Sequence, residues 1–132
     1  QIKKIFKFLK YRRMISKIYD QELSGIKNIK LPQKINCNHS YHLYPILIDF
    51  KKINKTKENL FKIFYKKKIK LQVHYKPTYL FSYFKKKTFK KNFSLINAEN
   101  FFQKEVSLPI YYNLPKKDIY KVINVLKNFF LK

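Results

Sequence analysis

With a single cysteine, Cys37, among 132 residues, this chain cannot form an internal disulfide, and it suits a reducing compartment such as the cytoplasm. Acidic residues are scarce: seven in all, none in a close pair, which gives no support to chemistry by a carboxylate dyad. No apolar run approaches the roughly 18 residues of a membrane-spanning helix, and no signal-peptide pattern opens the chain, so no membrane partner is expected. Arginine is nearly missing. Only Arg12 and Arg13 interrupt the lysines among 31 basic residues. Dedicated readers of nucleic acid lean on arginine for paired contacts to phosphate and guanine, so the net charge of +24 does not by itself signal such a role.

What the chain has instead is lysine, asparagine, isoleucine, phenylalanine and tyrosine in abundance. These residues share AT-rich codons, so genome bias accounts for the composition without a polyanionic ligand. The charge would still attract polyanions non-specifically at low salt. Hydrophobic residues make up 45% and aromatics 18%, well above the apolar poverty of a disordered segment. The length supports one hydrophobic core, not two.

Ile2, Ile5, Phe6, Leu9, Ile15, Ile18, Tyr19 and Leu23 recur at helical spacing, and Ser24-Gly25 supplies a stop where a left-handed residue is tolerated. Ile26 to Ser40 is polar with Pro32 inside it, a connecting loop. Tyr41 to Phe50 reads as a strand apolar on both faces, with Pro45 predicting an edge strand or a bulge. Thr56 can cap a short helix carrying Leu60, Phe61, Phe64 and Tyr65. Pro77 to Phe93 lacks a period and reads as irregular. Asn97 can cap a helix from Ala98 to about Lys104, and Val106 to Tyr111 forms a strand broken at Pro109. Pro115 opens a last helix whose buried face is Ile119, Val122, Ile123, Leu126, Phe129 and Phe130, with Asp118 favourable to its dipole. The expected fold is α/β (α+β), a small sheet of about three strands covered by helices.

The most informative stretch is Gln72-Val73-His74-Tyr75-Lys76-Pro77. Leu71, Val73 and Tyr75 alternate with Gln72 and His74, which predicts a half-exposed strand with Gln72 and His74 on one face. The strand must end at Pro77. An imidazole, a phenol and an amide gathered at a strand end are a common way to build a site.

With these elements placed, the sequence resembles the C-terminal part of the DegT/DnrJ/EryC1/StrS aminotransferases. Gln1, Arg13 to Tyr19 and Leu23 resemble that family's linking helix, and His42-Leu43-Tyr44-Pro45-Ile46 its "HLYpi" strand. Gln72 to Pro77 resembles its "vHY.P" segment, Ala98-Glu99 its "AE" helix, and Ser107-Leu108-Pro109 its "SLP" strand. Within the family, "QVHYKP" is most similar to the flagellin-sugar branch. Two departures stand out: Lys68-Ile69-Lys70 replaces a customary glycine turn, and Pro115 replaces a Ser or Thr cap.

The resemblance implies the small domain of a fold-type I enzyme dependent on pyridoxal 5'-phosphate (PLP). Residues 1–24 would be a linking helix from a preceding large domain, and residues 25–132 the C-terminal small domain. It implies amination of a UDP-linked 4-keto-6-deoxy sugar, an amino-acid donor and a homodimer in the full-length protein. In the family the Schiff-base lysine and the aspartate facing the pyridine nitrogen belong to the large domain. No segment here matches them, so the chain alone is expected to carry no catalytic residue, to bind no PLP and to be inactive. The match starts mid-family and residue 1 is Gln rather than Met, so a C-terminal fragment or a broken gene is expected. The substrate-binding residues implied are Gln72, Val73, His74 and Tyr75, with His74 positioning the sugar rather than moving protons.

Plainer readings stand beside these. His74 could be a strand histidine with an ordinary hydrogen bond. Cys37, His39 and His42 lack the paired spacing of a zinc site, so no metal is expected. Ser107 has no evident base partner and reads as structural. Lys85-Lys86-Lys87 with Lys90-Lys91 reads as a solvated loop. A lysine-rich module that stacks bases on Tyr and Phe is the competing function, and the expected burial of most aromatics argues against it.

Overall fold

The computed structural model describes residues 2–32, 39–87 and 95–131. Gln1, Cys37, Lys90 and Lys91 lie outside the described residues. A short 3-10 turn, Ile2–Lys4, leads into α1 (Ile5–Leu23), followed by β1 (Ile29–Lys30) and β2 (Tyr44–Ile48). Then come α2 (Lys57–Lys66), a 3-10 turn Thr78–Leu80, α3 (Ser82–Lys87), α4 (Ile96–Lys104), β3 (Glu105–Leu108) and α5 (Lys116–Leu131). The three strands form one antiparallel sheet in the order β1-β2-β3.

Alternation along β2 decides which face is buried. Tyr44, Ile46 and Ile48 are fully buried, and their neighbours Pro45 and Leu47 only partly so. Val106 and Leu108 of β3 lie opposite Ile46 and Tyr44 on the same side. This face joins Ile15, Tyr19 and Leu23 of α1, Leu60 and Phe64 of α2, and Ile119, Val122, Ile123, Leu126 and Phe129 of α5 in a single core. Tyr19 and Tyr44 meet there, ring centroids 5.0 Å apart. Their hydroxyls remain satisfied: Tyr19 donates to the Pro109 carbonyl at 2.8 Å and Tyr44 to Asp20 Oδ1 at 2.6 Å.

Several expectations need correction. The sheet has three strands, but Leu71–Tyr75 is not one of them; it contributes only an isolated bridge between Gln72 and Ser107. The third strand is instead β1, within the stretch read as loop. Pro45 sits in the central strand, neither on an edge nor in a bulge. The reason is local. Ser107, its partner, directs its own N–H and C=O to Gln72, so Pro45 occupies a non-hydrogen-bonded position of the ladder. On the other side β1 reaches only Leu47 and Ile48, so no strand asks Pro45 for an N–H.

The helix ends differ too. Gly25 does not adopt a left-handed conformation; Asn28 does, with φ 67°. α4 begins at Ile96, so Asn97 lies inside it and does not cap it. The stretch after Pro77 holds two short helical turns. Thr56 caps α2 by accepting the Asn59 N–H at 3.1 Å, and Pro115 opens α5 by accepting from Asp118 and Ile119.

Candidate functional site

The second face of the sheet carries Pro45 and Leu47 from β2 and Glu105 and Ser107 from β3. Gln72 adds to it by pairing with Ser107: Ser107 N–H donates to the Gln72 carbonyl at 2.9 Å, and Gln72 N–H returns to Ser107 at 3.4 Å. Continuing that antiparallel register sets His74 opposite Glu105. There the His74 N–H donates to the Glu105 carboxylate (Oε2, 2.9 Å) rather than to a carbonyl, and the ladder stops. The His74–Tyr75 peptide bond is cis. Tyr75 beyond it is 72% exposed, its ring edge-on to the His74 imidazole at 4.7 Å.

Under the imidazole lies a buried polar chain. Ser107 Oγ is 2.9 Å from His74 Nδ1 and 2.6 Å from Glu105 Oε1. Glu105 is fully buried and Ser107 nearly so. A buried carboxylate is tolerated only with partners. Glu105 has two hydrogen-bond donors and a cation nearby, Lys57 at the start of α2. Burial pushes the Lys57 ammonium below its ordinary value, against the opposing pull of Glu105 and Glu58. Its Nζ donates to the Phe102 carbonyl at 2.7 Å and lies over that ring.

Gln72 and Ser107 also border a groove of about 300 Å³ shared with His42, Lys70, Pro109 and Tyr111. A larger groove of about 590 Å³ runs between α2 and α5, lined by Lys55, Lys62, Lys66, Lys67 and apolar Ile63, Val125 and Phe129. None of residues 72–75 borders the larger one, and of the four only Gln72 borders the smaller. The smaller groove offers the mixed polar and apolar lining that small-molecule sites share.

Of the residues singled out in the sequence, Gln72 and His74 meet on the second face, Val73 is half-buried, and Tyr75 projects outward. Ser107 is buried between His74 and Glu105. Glu105 escaped notice, although its spacing from Ser107 matched that of Gln72 from His74. That shared i, i+2 spacing was the available signal. His39 accepts the Tyr41 N–H on Nδ1 at 3.0 Å, and among the described residues no three metal-ligating side chains converge. Phe6, Tyr65, Tyr75, Tyr83 and Tyr111 are more than half exposed and are exceptions to the expected burial of most aromatics. They are spread over five separate segments. Among the described residues no helix is long and apolar enough to cross a membrane.

PLP requires a lysine and an acidic partner facing a common space. Neither groove has an aspartate or glutamate in its lining, and Lys57 is engaged by Phe102. Neither of these two grooves by itself offers the cofactor that pair.

Comparison with known proteins sets this geometry in context. Residues 1–127 match the profile of the DegT/DnrJ/EryC1/StrS aminotransferase family. Over 121 residues the chain is 39% identical to the UDP-4-amino-4,6-dideoxy-N-acetyl-beta-L-altrosamine transaminase of Campylobacter jejuni, covering 89% of this chain and 31% of that protein. Helicobacter pylori PseC, an aminotransferase involved in the biosynthesis of pseudoaminic acid, superposes with a TM-score of 0.89 at 26% identity, over 99% of this chain and 35% of that one. A Streptococcus pneumoniae protein described as a sugar aminotransferase, solved in its PLP form, shares the fold with a TM-score of 0.83 at 24% identity, over 99% of this chain and 33% of its own. The chain thus spans about a third of the length of the relatives it matches.

Proposed function

This chain belongs to the DegT/DnrJ/EryC1/StrS aminotransferase family, and on that premise we propose that it is the C-terminal small domain of a PLP-dependent enzyme that aminates a UDP-linked 4-keto-6-deoxy sugar. Residues 25–132 form the domain and residues 1–24 the helix that links it to a large domain carrying the cofactor lysine. An amino acid donates the amine, the complete enzyme works as a homodimer, and this chain alone is inactive. The product class belongs to nucleotide-sugar biosynthesis for surface or flagellin glycans. Similarity to the Campylobacter transaminase supports the substrate class.

The observation that carries the site is His74 held against Ser107 and Glu105 at the edge of the sheet, next to the groove that Gln72 borders. In this reading Gln72, His74 and Tyr75 contact the sugar nucleotide, and Val73 contributes main-chain groups. PLP, when bound in the complete enzyme, supplies the electron sink for amino transfer. This chain's residues orient the sugar and close one wall of its site. They need not move a proton.

The test is steady-state kinetics on the complete enzyme. His74→Ala and Tyr75→Phe should each lower kcat/KM for the sugar nucleotide about ten- to hundredfold, the effect of leaving a buried partner unpaired at about 1–3 kcal/mol. PLP occupancy should stay unchanged, because the cofactor is anchored elsewhere. Wild-type kinetics in both variants would return the two residues to a structural role.

A further inference from the structure

We infer that Ser107 and Glu105 are positioning residues that hold neutral His74 in its Nδ1–H tautomer, leaving the Nε2 lone pair to accept a hydrogen bond from a hydroxyl or amide N–H of the sugar nucleotide. The inference rests on the proposed reading for its ligand but not for its chemistry.

A serine hydroxyl has one proton to donate. Ser107 Oγ stands 2.6 Å from Glu105 Oε1 and 2.9 Å from His74 Nδ1. The shorter separation is that of a hydroxyl donating to a carboxylate. Were the proton turned to His74 instead, Oγ and Oε1 would face each other lone pair to lone pair in a fully buried position. Such a clash of acceptors in a low-dielectric interior is costly. With its proton on Glu105, Ser107 can only accept from the ring, so Nδ1 carries the hydrogen. The other carboxylate oxygen is fixed by the His74 N–H at 2.9 Å, and this keeps the acid from turning away. One carboxylate therefore anchors both the backbone and, through Ser107, the ring of the same residue.

The opposite ring nitrogen has no protein partner among the described residues, and His74 is half-exposed. A neutral ring with Nδ1–H presents a pure acceptor on Nε2. It selects a donor group on the ligand and disfavours a carbonyl or phosphate oxygen at that position.

Histidine side-chain nitrogen NMR on the 132-residue chain tests this without any activity. Only His39, His42 and His74 contribute signals. In its neutral form, His74 should show a protonated Nδ1 and a bare Nε2. Ser107→Ala should shift its ring toward a mixed or Nε2–H population, and Ser107→Thr, which keeps the hydroxyl, should restore the native pattern. Glu105→Gln should also weaken the preference, because an amide has one acceptor for two donors. A dispersed amide spectrum identifies the variants that fold, and either Ser107→Ala or Glu105→Gln suffices. Nε2–H in the wild-type chain would overturn the inference, as would an unchanged tautomer in a folded variant. In the complete enzyme Ser107→Ala should raise KM for the sugar nucleotide about tenfold with kcat nearly unchanged. If the tautomer is as stated while His74→Ala behaves as wild type, the positioning chain stands and the substrate reading fails.

Discussion

Tyr44 and Tyr19 tie α1 to the sheet with hydroxyls that have no access to water. Burial first, and then the hydrogen bond to Asp20, hold the Tyr44 phenol far above its ordinary value of 10. Burial does the same for Tyr19. The folded chain therefore keeps these protons at pH values where the unfolded chain has lost them. Their contribution is complete below pH 10 and declines as pH rises above it, by about 1.4 kcal/mol per pH unit for each tyrosine. Urea midpoints measured from pH 9 upward should fall steeply in the native chain and less steeply in Tyr44→Phe. Equal slopes would mean that the phenol titrates freely in the folded state. Such residue-level detail was partly legible. The positions of Tyr19 and Tyr44 on buried faces follow from spacing alone, but the Asp20 and Pro109 partners depend on how α1 crosses the sheet.

Helix α2 shows an element closing where its sequence is unfavourable. Lys68 takes φ 58°, its N–H donates to the Tyr65 carbonyl at 2.9 Å, and the Ile69 N–H reaches Phe64 at 3.0 Å. This is the paired-bond helix end that glycine normally serves, and here a lysine bears the left-handed conformation. Lys68→Gly should stabilise the domain by about 0.5–1 kcal/mol, the relief of backbone strain less the larger unfolded-state entropy of glycine. A urea midpoint unchanged or lowered in this variant would contradict the account. The missing glycine was visible in the sequence at Lys68-Ile69-Lys70, and Lys68 makes the turn in its place.

Strand identity was harder to read at this scale. Gln72 and His74 hold the alternation expected of a strand, but the side chain of Glu105 captures the His74 N–H that a ladder would have paired. β1 is two residues long, too short for any periodicity to reveal. Pro45 misled because proline's effect depends on which ladder positions need a donor, a property of the partner strands and not of the segment itself.

At the scale of the whole molecule, the core is one continuous cluster drawn from α1, α2, α5 and the sheet. The described ion pairs, Lys104 with Asp49 at 3.3 Å and Lys127 with Glu22 at 2.6 Å, are few beside a net charge of +24. Apolar burial must therefore hold the domain together against self-repulsion. The 3-10 turn and the opening of α1 leave Ile2 and Phe6 more than four-fifths exposed. The decisive measurement is an amino-transfer assay with PLP, an amino-acid donor and a UDP-linked 4-keto-6-deoxy sugar, read by mass spectrometry of the sugar product. It is run on the complete protein and on residues 1–132 alone. The amino sugar should form with the complete protein and not with the 132-residue chain. Turnover by this chain alone, or none by the complete protein on any UDP-linked keto-sugar, would contradict the account.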